Sequence, residues 1–123
     1  MGWNLDSQRP IYAQIIDKVQ MDIVTGRYAP GGRLPSVREL AAQAAVNPNT
    51  MQKALAELEG SGLIYAQRTS GRFVTEDAGR IREAKRRLAS MQVRDFMKKM
   101  QDLGMTWEEI IELLQNIVRE EEV

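Results

Sequence analysis

Cysteine and histidine are both missing from this 123-residue chain. Without thiols there is no disulfide framework, no thiolate nucleophile and no thiolate metal site, which fits a cytoplasmic setting. Without imidazole the commonest general base and the commonest metal ligand are gone too. Carboxylates remain, but no pair of them belongs to a pocket-like constellation, so neither enzymatic activity nor a cofactor is expected. No apolar run approaches the ~20 residues that span a bilayer. A charged-then-apolar leader is also lacking, so no membrane partner is expected. The 43 % apolar and 28 % charged content is that of a globular protein. The length suits one or two small units rather than a separate effector domain.

Net charge is zero only in the sum. Residues 1–75 carry +2, residues 80–99 carry +6, and residues 101–123 carry −6. Such a dipolar chain can turn a basic surface toward nucleic acid and hold an acidic end away from it.

What is present is concentrated between Ser36 and Val74. Ser36 with Glu39 forms a capping box, which predicts a helix start. Val37, Leu40, Ala41 and Ala44 then give that helix one apolar stripe. Ala45 and Val46 make a turn. Asn47 suits an N-cap and Pro48 a first helical position, so a second helix begins there and is expected to stop before Gly60 and Gly62. Its apolar back is Met51, Ala54, Leu55 and Leu58, and its opposite side carries Asn49, Gln52, Lys53 and Ala56. Amides can pair bidentately with adenine, lysine reaches guanine or phosphate, and a small alanine permits close approach to a thymine methyl. An ordinary solvated face has the same composition, so the neighbouring parts must decide.

Those parts are two β-leaning runs, Leu63–Tyr65 and Phe73–Thr75, around Ala66-Gln67-Arg68-Thr69-Ser70-Gly71-Arg72. A helix-turn-helix followed by a basic, glycine-containing hairpin is a winged helix, which puts one helix in the major groove and the wing on phosphates or in the minor groove. Upstream, Pro10 opens a helix toward Gly26 whose Ile11, Tyr12, Ile15, Ile16, Val19 and Ile23 share one sector and pack behind the helix-turn-helix. Trp3 to Leu5 is too short to assign as strand or apolar flap. Tyr28 to Pro35, with two prolines and two glycines, reads as a loop.

Pro30-Gly31-Gly32-Arg33-Leu34-Pro35-Ser36-Val37-Arg38-Glu39-Leu40-Ala41, Val46 to Met51, Leu55 to Ile64 and Gly71-Arg72-Phe73-Val74 together resemble the GntR regulators, over Pro10 to Thr75. The Val46-Asn47-Pro48-Asn49-Thr50 stretch and the short C-terminal extension look most like the YtrA branch of that family. The resemblance implies a double-stranded DNA interface made of Arg33, Ser36, Arg38, Asn47, Asn49, Thr50, Gln52 and Lys53, with Arg68, Ser70, Gly71 and Arg72 from the wing. For Arg38 the alternative is a salt bridge to Glu39, Glu57 or Glu59. Many GntR proteins carry arginines where this chain has Pro48 and Gln52, so the usual family operator is not implied. Asn49, Gln52 and Lys53 suggest an A·T-containing half-site instead. Thr69 also replaces a more usual glycine after Arg68.

Beyond residue 77 the pattern is helical. Arg80, Arg82, Lys85, Arg86 and Arg87 could touch phosphate, pair with the acidic C-terminus or simply be solvated. Val93, Phe96, Met97, Met100 and Leu103 keep helical spacing up to Gly104. Thr106 with Glu109 caps a last helix carrying Trp107, Ile110, Ile111, Leu114, Ile117 and Val118. Such an antiparallel hairpin has too much apolar surface to stay alone, so Phe96, Met97, Met100 and that last stripe are expected to meet a second copy. The methionines at 91, 97, 100 and 105 near Trp107 could line a pliable site for an apolar effector, or merely fill core.

The expectation is a mainly α chain with a small β-hairpin. Residues 1–76 form a winged helix-turn-helix DNA-binding domain, and 77–123 form a linker helix and a helical dimerisation hairpin. Its function reads as a homodimeric transcription repressor on a palindromic operator. The alternatives are a winged-helix protein-interaction module and a DNA-binding sensor with a small apolar effector at the hairpin.

Overall fold

A computed structural model describes residues 2–122; Met1 and Val123, the outer ends of the two expected domains, lie outside the described residues. Elements follow in the order α1 (Ile11–Val24), α2 (Val37–Ala44), α3 (Pro48–Ser61), β1 (Ile64–Gln67), β2 (Gly71–Val74), α4 (Ala78–Asp102) and α5 (Trp107–Glu121). Two compact units separate between Leu88 and Ala89, inside α4.

In the first unit the apolar stripes of three helices converge. Ile15, Val19 and Ile23 of α1, Leu40, Ala41 and Ala44 of α2, and Met51, Ala54, Leu55 and Leu58 of α3 are all buried. Each fully buried large aliphatic among them stabilises the fold by about 1.5–3 kcal/mol relative to exposure. Leu34, Leu63, Ile64 and Val74 bring the wing into the same core, and Ala84 of α4 joins it with Ile81 packed alongside. The opening turns of α4 therefore belong to the winged helix itself.

β1 and β2 pair antiparallel, with Ile64 opposite Val74 and Gln67 opposite Gly71. The strands reach two residues further toward the tip than the apolar runs suggested, leaving a short turn at Arg68-Thr69-Ser70. Polar side chains tolerate strand geometry when the backbone ladder continues, which is why hydropathy alone stopped too early.

The glycine-rich segment before α2 is more than a loop. The Leu34 N–H donates to the Arg72 carbonyl at 2.9 Å, the Val74 N–H to the Gly32 carbonyl at 2.9 Å, and the Gly31 N–H to the Val74 carbonyl at 3.0 Å. It runs along β2 as a third, irregular partner, and Arg33 bridges to Phe73. Proline and glycine mask such pairing in a sequence because neither favours a strand.

Residues before α1 form a flap, not a strand. The buried Gln14 side chain holds it: its Oε1 accepts from the Asp6 N–H at 2.9 Å, and its Nε2 donates to the Asp6 carbonyl at 2.7 Å and the Arg9 carbonyl at 3.0 Å. Trp3 rests against the core edge.

In the second unit α5 starts on the expected capping box. The Thr106 side chain accepts from the Glu109 N–H, while Glu109 accepts from the Thr106 N–H at 2.9 Å. Gly104, at φ +89°, ends the turn before it.

Candidate nucleic-acid interface

The helix-turn-helix is assembled by local chemistry. Ser36 Oγ accepts from the Glu39 N–H at 3.1 Å and the Glu39 carboxylate accepts from the Ser36 N–H at 3.1 Å, closing the capping box on α2. Those bonds to Ser36 hold the Glu39 carboxyl below the usual carboxylate range. The Ser36 hydroxyl still has its own hydrogen to donate. Between the helices Ala45 adopts a left-handed conformation, φ 59°. Asn47 then caps α3 by accepting from the Asn49 N–H at 2.8 Å, which commits its side-chain oxygen and leaves its amide nitrogen as a donor.

With Met51, Ala54, Leu55 and Leu58 buried, the other side of α3 faces outward. Asn49, Gln52, Lys53 and Ala56 are all exposed, and Thr50 is half-buried beside them. Arg38 on α2 is exposed and, among the described residues, makes no ion pair with Glu39, Glu57 or Glu59. Arg68 at the wing tip is likewise exposed and unpaired.

The remaining expected cations have partners that residue spacing did not reveal. Arg72 is only 17 % exposed at its side chain and donates through Nε to Glu59 Oε1 at 2.5 Å. This pair ties the second wing strand to the last turn of α3. Arg33 lies over Gly71, whose φ of +103° suits glycine, and a Cβ there would stand 3.2 Å from the Arg33 Nε. Lys53 places its ammonium 4.1 Å from the centre of the Tyr12 ring on α1. Tyr65 and Phe73 stack across the wing at 5.7 Å, stiffening its base.

Among the basic residues opening α4, Arg80 donates to the Ser61 carbonyl at 3.2 Å and so caps the end of α3. Its guanidinium occupies the space where a side chain on Gly62 would begin, at a φ of +83° that already selects glycine. Arg87 sits 3.4 Å from Glu83, one turn away. Asp77 caps α4 by accepting from the Gly79 N–H at 2.9 Å, a cap that charge reading alone passed over.

Glu59→Gln is therefore expected to loosen the wing. Half-buried pairs lie between exposed and buried ones in strength, so the loss should be about 1–2 kcal/mol in urea unfolding. Amide exchange at Ser70 and Gly71 should quicken in parallel. Unchanged stability and exchange would mean that the Arg72–Glu59 pair holds nothing in place.

Of the expected interface, Asn49, Gln52 and Lys53 are exposed on α3 with Thr50 half-buried beside them, Arg38 is exposed on α2, and Ser36 and Asn47 stand at the two helix starts. Residues 11–74 match the family described as bacterial regulatory proteins, gntR family. The chain belongs to the GntR family. It is a transcription regulator carrying that family's DNA-binding winged helix-turn-helix. Among related GntR proteins, the HTH-type transcriptional repressor YtrA of Bacillus subtilis is 36 % identical over 90 % of this chain and 86 % of its own. A solved GntR family transcriptional regulator from Listeria monocytogenes is 41 % identical, with a TM-score of 0.81 over 91 % of this chain and 98 % of that one. The AraR DNA-binding domain, solved in complex with an operator, is 30 % identical with a TM-score of 0.53, covering 61 % of this chain and 92 % of that one. The YtrA likeness extends past the winged helix, as the C-terminal helices anticipated.

In the second unit, the expected dimerisation residues Phe96, Trp107, Ile111, Leu114, Ile117 and Val118 are between 38 % and 54 % exposed. Met97 and Met100 are half-buried. Ile110 departs from the rest at 1 % exposure, so a second copy has no access to it. Helical spacing placed it on the shared stripe but could not say which part of that stripe is already covered in one chain. Among the described residues no acidic cluster could hold a metal ion, and no helix is long and apolar enough to cross a membrane.

Proposed function

We propose that this GntR regulator is a homodimeric repressor that binds a palindromic operator through α3. The observation that carries the reading is the outward side of α3: two amides, a lysine and a small alanine, exposed above a fully buried apolar back. Arg38 on α2 and Arg68 at the wing tip, the cations expected beside that side, are exposed and form no ion pair among the described residues. Backbone contacts from Arg33, Ser36, Arg38 and the wing set register and affinity, and Asn49 and Gln52 choose the sequence. The missing arginines at 48 and 52 favour A·T-containing half-sites over guanine-rich ones.

Arg72 has a different part from the one its charge suggested. Held by Glu59, it orients the wing, and Arg68, Ser70 and Gly71 at the tip make the contact. The YtrA relative's description as a repressor and the AraR domain's complex with an operator both support this direction of control and this ligand.

Dimerisation rests on α5. Its exposed stripe Trp107, Ile111, Leu114 and Val118 follows i, i+4, i+7 and i+11, a continuous apolar band that water disfavours. A twofold partner presents the same band in return, and it brings two α3 helices to half-sites about 34 Å apart or a multiple of that.

Arg38→Ala tests the interface. It should weaken a selected site and random duplex alike, and reduce the slope of log affinity against log salt by about two, one phosphate contact being lost at each half-site. Unchanged binding to both across a salt series would remove α2 from the DNA surface.

A further inference from the structure

We infer that Tyr12 is a positioning residue for DNA binding, holding Lys53 in place with its cation free to act. The inference rests on the DNA reading of α3 above.

Tyr12 belongs to α1, behind the helix-turn-helix, and hydrophobic spacing assigns it to packing. It is half-buried against the core edge, while Ile15, Val19 and Ile23 of the same helix are fully buried. The ring is therefore mounted on a helix anchored in the core by these three side chains. Lys53 reaches across from the exposed side of α3 and sets its ammonium 4.1 Å from the ring centre.

Arg72 and Lys53 are held by different chemistry. Glu59 fixes Arg72 and cancels its charge. Tyr12 fixes Lys53 through the negative face of its π-system and adds no formal charge. An ammonium has three donors, and a ring beneath it leaves the outward side available for a phosphate or a guanine edge. A free lysine must give up most of its rotamer freedom when it binds, a cost that prior ordering reduces. The ring thus orders the long side chain without weakening the field that attracts DNA.

The pair can be separated from simple packing by substitution. Phenylalanine keeps the ring face and leucine keeps the bulk without it, while Lys53→Met keeps the stem and removes the charge. Four variants are required: Tyr12→Phe, Tyr12→Leu, Lys53→Met and the Tyr12→Leu/Lys53→Met double. Affinity is measured by fluorescence anisotropy on the best duplex from a random-DNA selection, with thermal midpoints for each protein and Arg38→Ala alongside. Tyr12→Phe should stay within about twofold of the parent. Tyr12→Leu should weaken binding about fivefold to thirtyfold, a cation–π loss of ordinary size counted at two half-sites. In the Lys53→Met background, Tyr12→Leu should change nothing further, which a general packing defect would not reproduce.

The inference is overturned if Tyr12→Leu is silent, if its effect persists undiminished without Lys53, or if Tyr12→Phe is as weak as Tyr12→Leu. The last result would transfer the role to the phenolic hydroxyl. If Lys53→Met is also without effect, the DNA reading of this side of α3 fails first. If Lys53→Met weakens binding while the Tyr12–Lys53 cycle shows no coupling, only the inference about Tyr12 fails.

Discussion

Replacing Leu114 and Ile117 together with Asp should give monomers, and operator affinity should fall by about 10²–10⁴. Both residues are exposed on α5, so the charges enter water in the separated chain and leave its fold intact. In a dimer the same charges would be buried against their own symmetry mates, a like-charge arrangement without hydrogen-bond partners. The size of the affinity loss follows from linkage. One bound half-site raises the effective concentration of the second recognition helix, and that advantage vanishes when the chains part. Sedimentation gives the mass and anisotropy the affinity. A double variant that stays dimeric would place the twofold contact elsewhere. Ile110 is unsuitable for this test because it is buried in the single chain, and aspartate there would confuse unfolding with dissociation.

Asn49→Ala with Gln52→Ala should abolish discrimination instead of binding. A good bidentate pair is worth about 1–3 kcal/mol against the wrong base, and each counts at both half-sites. Four such contacts at about 1–3 kcal/mol each amount to at least about three orders of magnitude, so preference for a selected duplex over a random one should all but disappear. Affinity for random duplex should hold within roughly threefold, because it is carried by phosphate contacts that neither substitution touches. Both residues are exposed on α3, so the helix itself should lose nothing in stability. If random-duplex affinity falls as far as selected-duplex affinity, these amides position the protein and do not read bases. If preference survives intact, the sequence is read by other residues.

The contrast between these two variants is informative about how the chain divides its work. The first removes geometry and spares chemistry at each half-site. The second removes chemistry and spares geometry. Arg38→Ala completes the set by removing charge alone: it should lower the salt slope of the intact dimer, whereas the amide variant should leave that slope unchanged.

Much of this protein is legible in its sequence because its elements declare themselves locally. Capping boxes at Ser36 and Thr106, the cap at Asn47 with Pro48 behind it, and the glycine at position 62 lie within a turn or two of the helices they bound. Periodicity then separated the buried back of α3 from its outward amides without reference to any other segment. The apolar stripe on α5 was visible for the same reason. Local chemistry of this kind depends on residues a few positions apart, and the sequence contains it directly.

What the tertiary structure decided are relations between residues brought together from a distance. Glu59 meets Arg72 across thirteen positions, Tyr12 meets Lys53 across two helices, and Arg80 reaches back to the end of α3. Residues 31–34 join β2 although their composition argues for a loop. Charge alone made Arg72 and Lys53 equivalent candidates for DNA; folding neutralises one and holds the other with its charge intact. The physical reason is that a side chain's partner depends on which surfaces burial brings face to face, and a linear spacing rule carries no information about that.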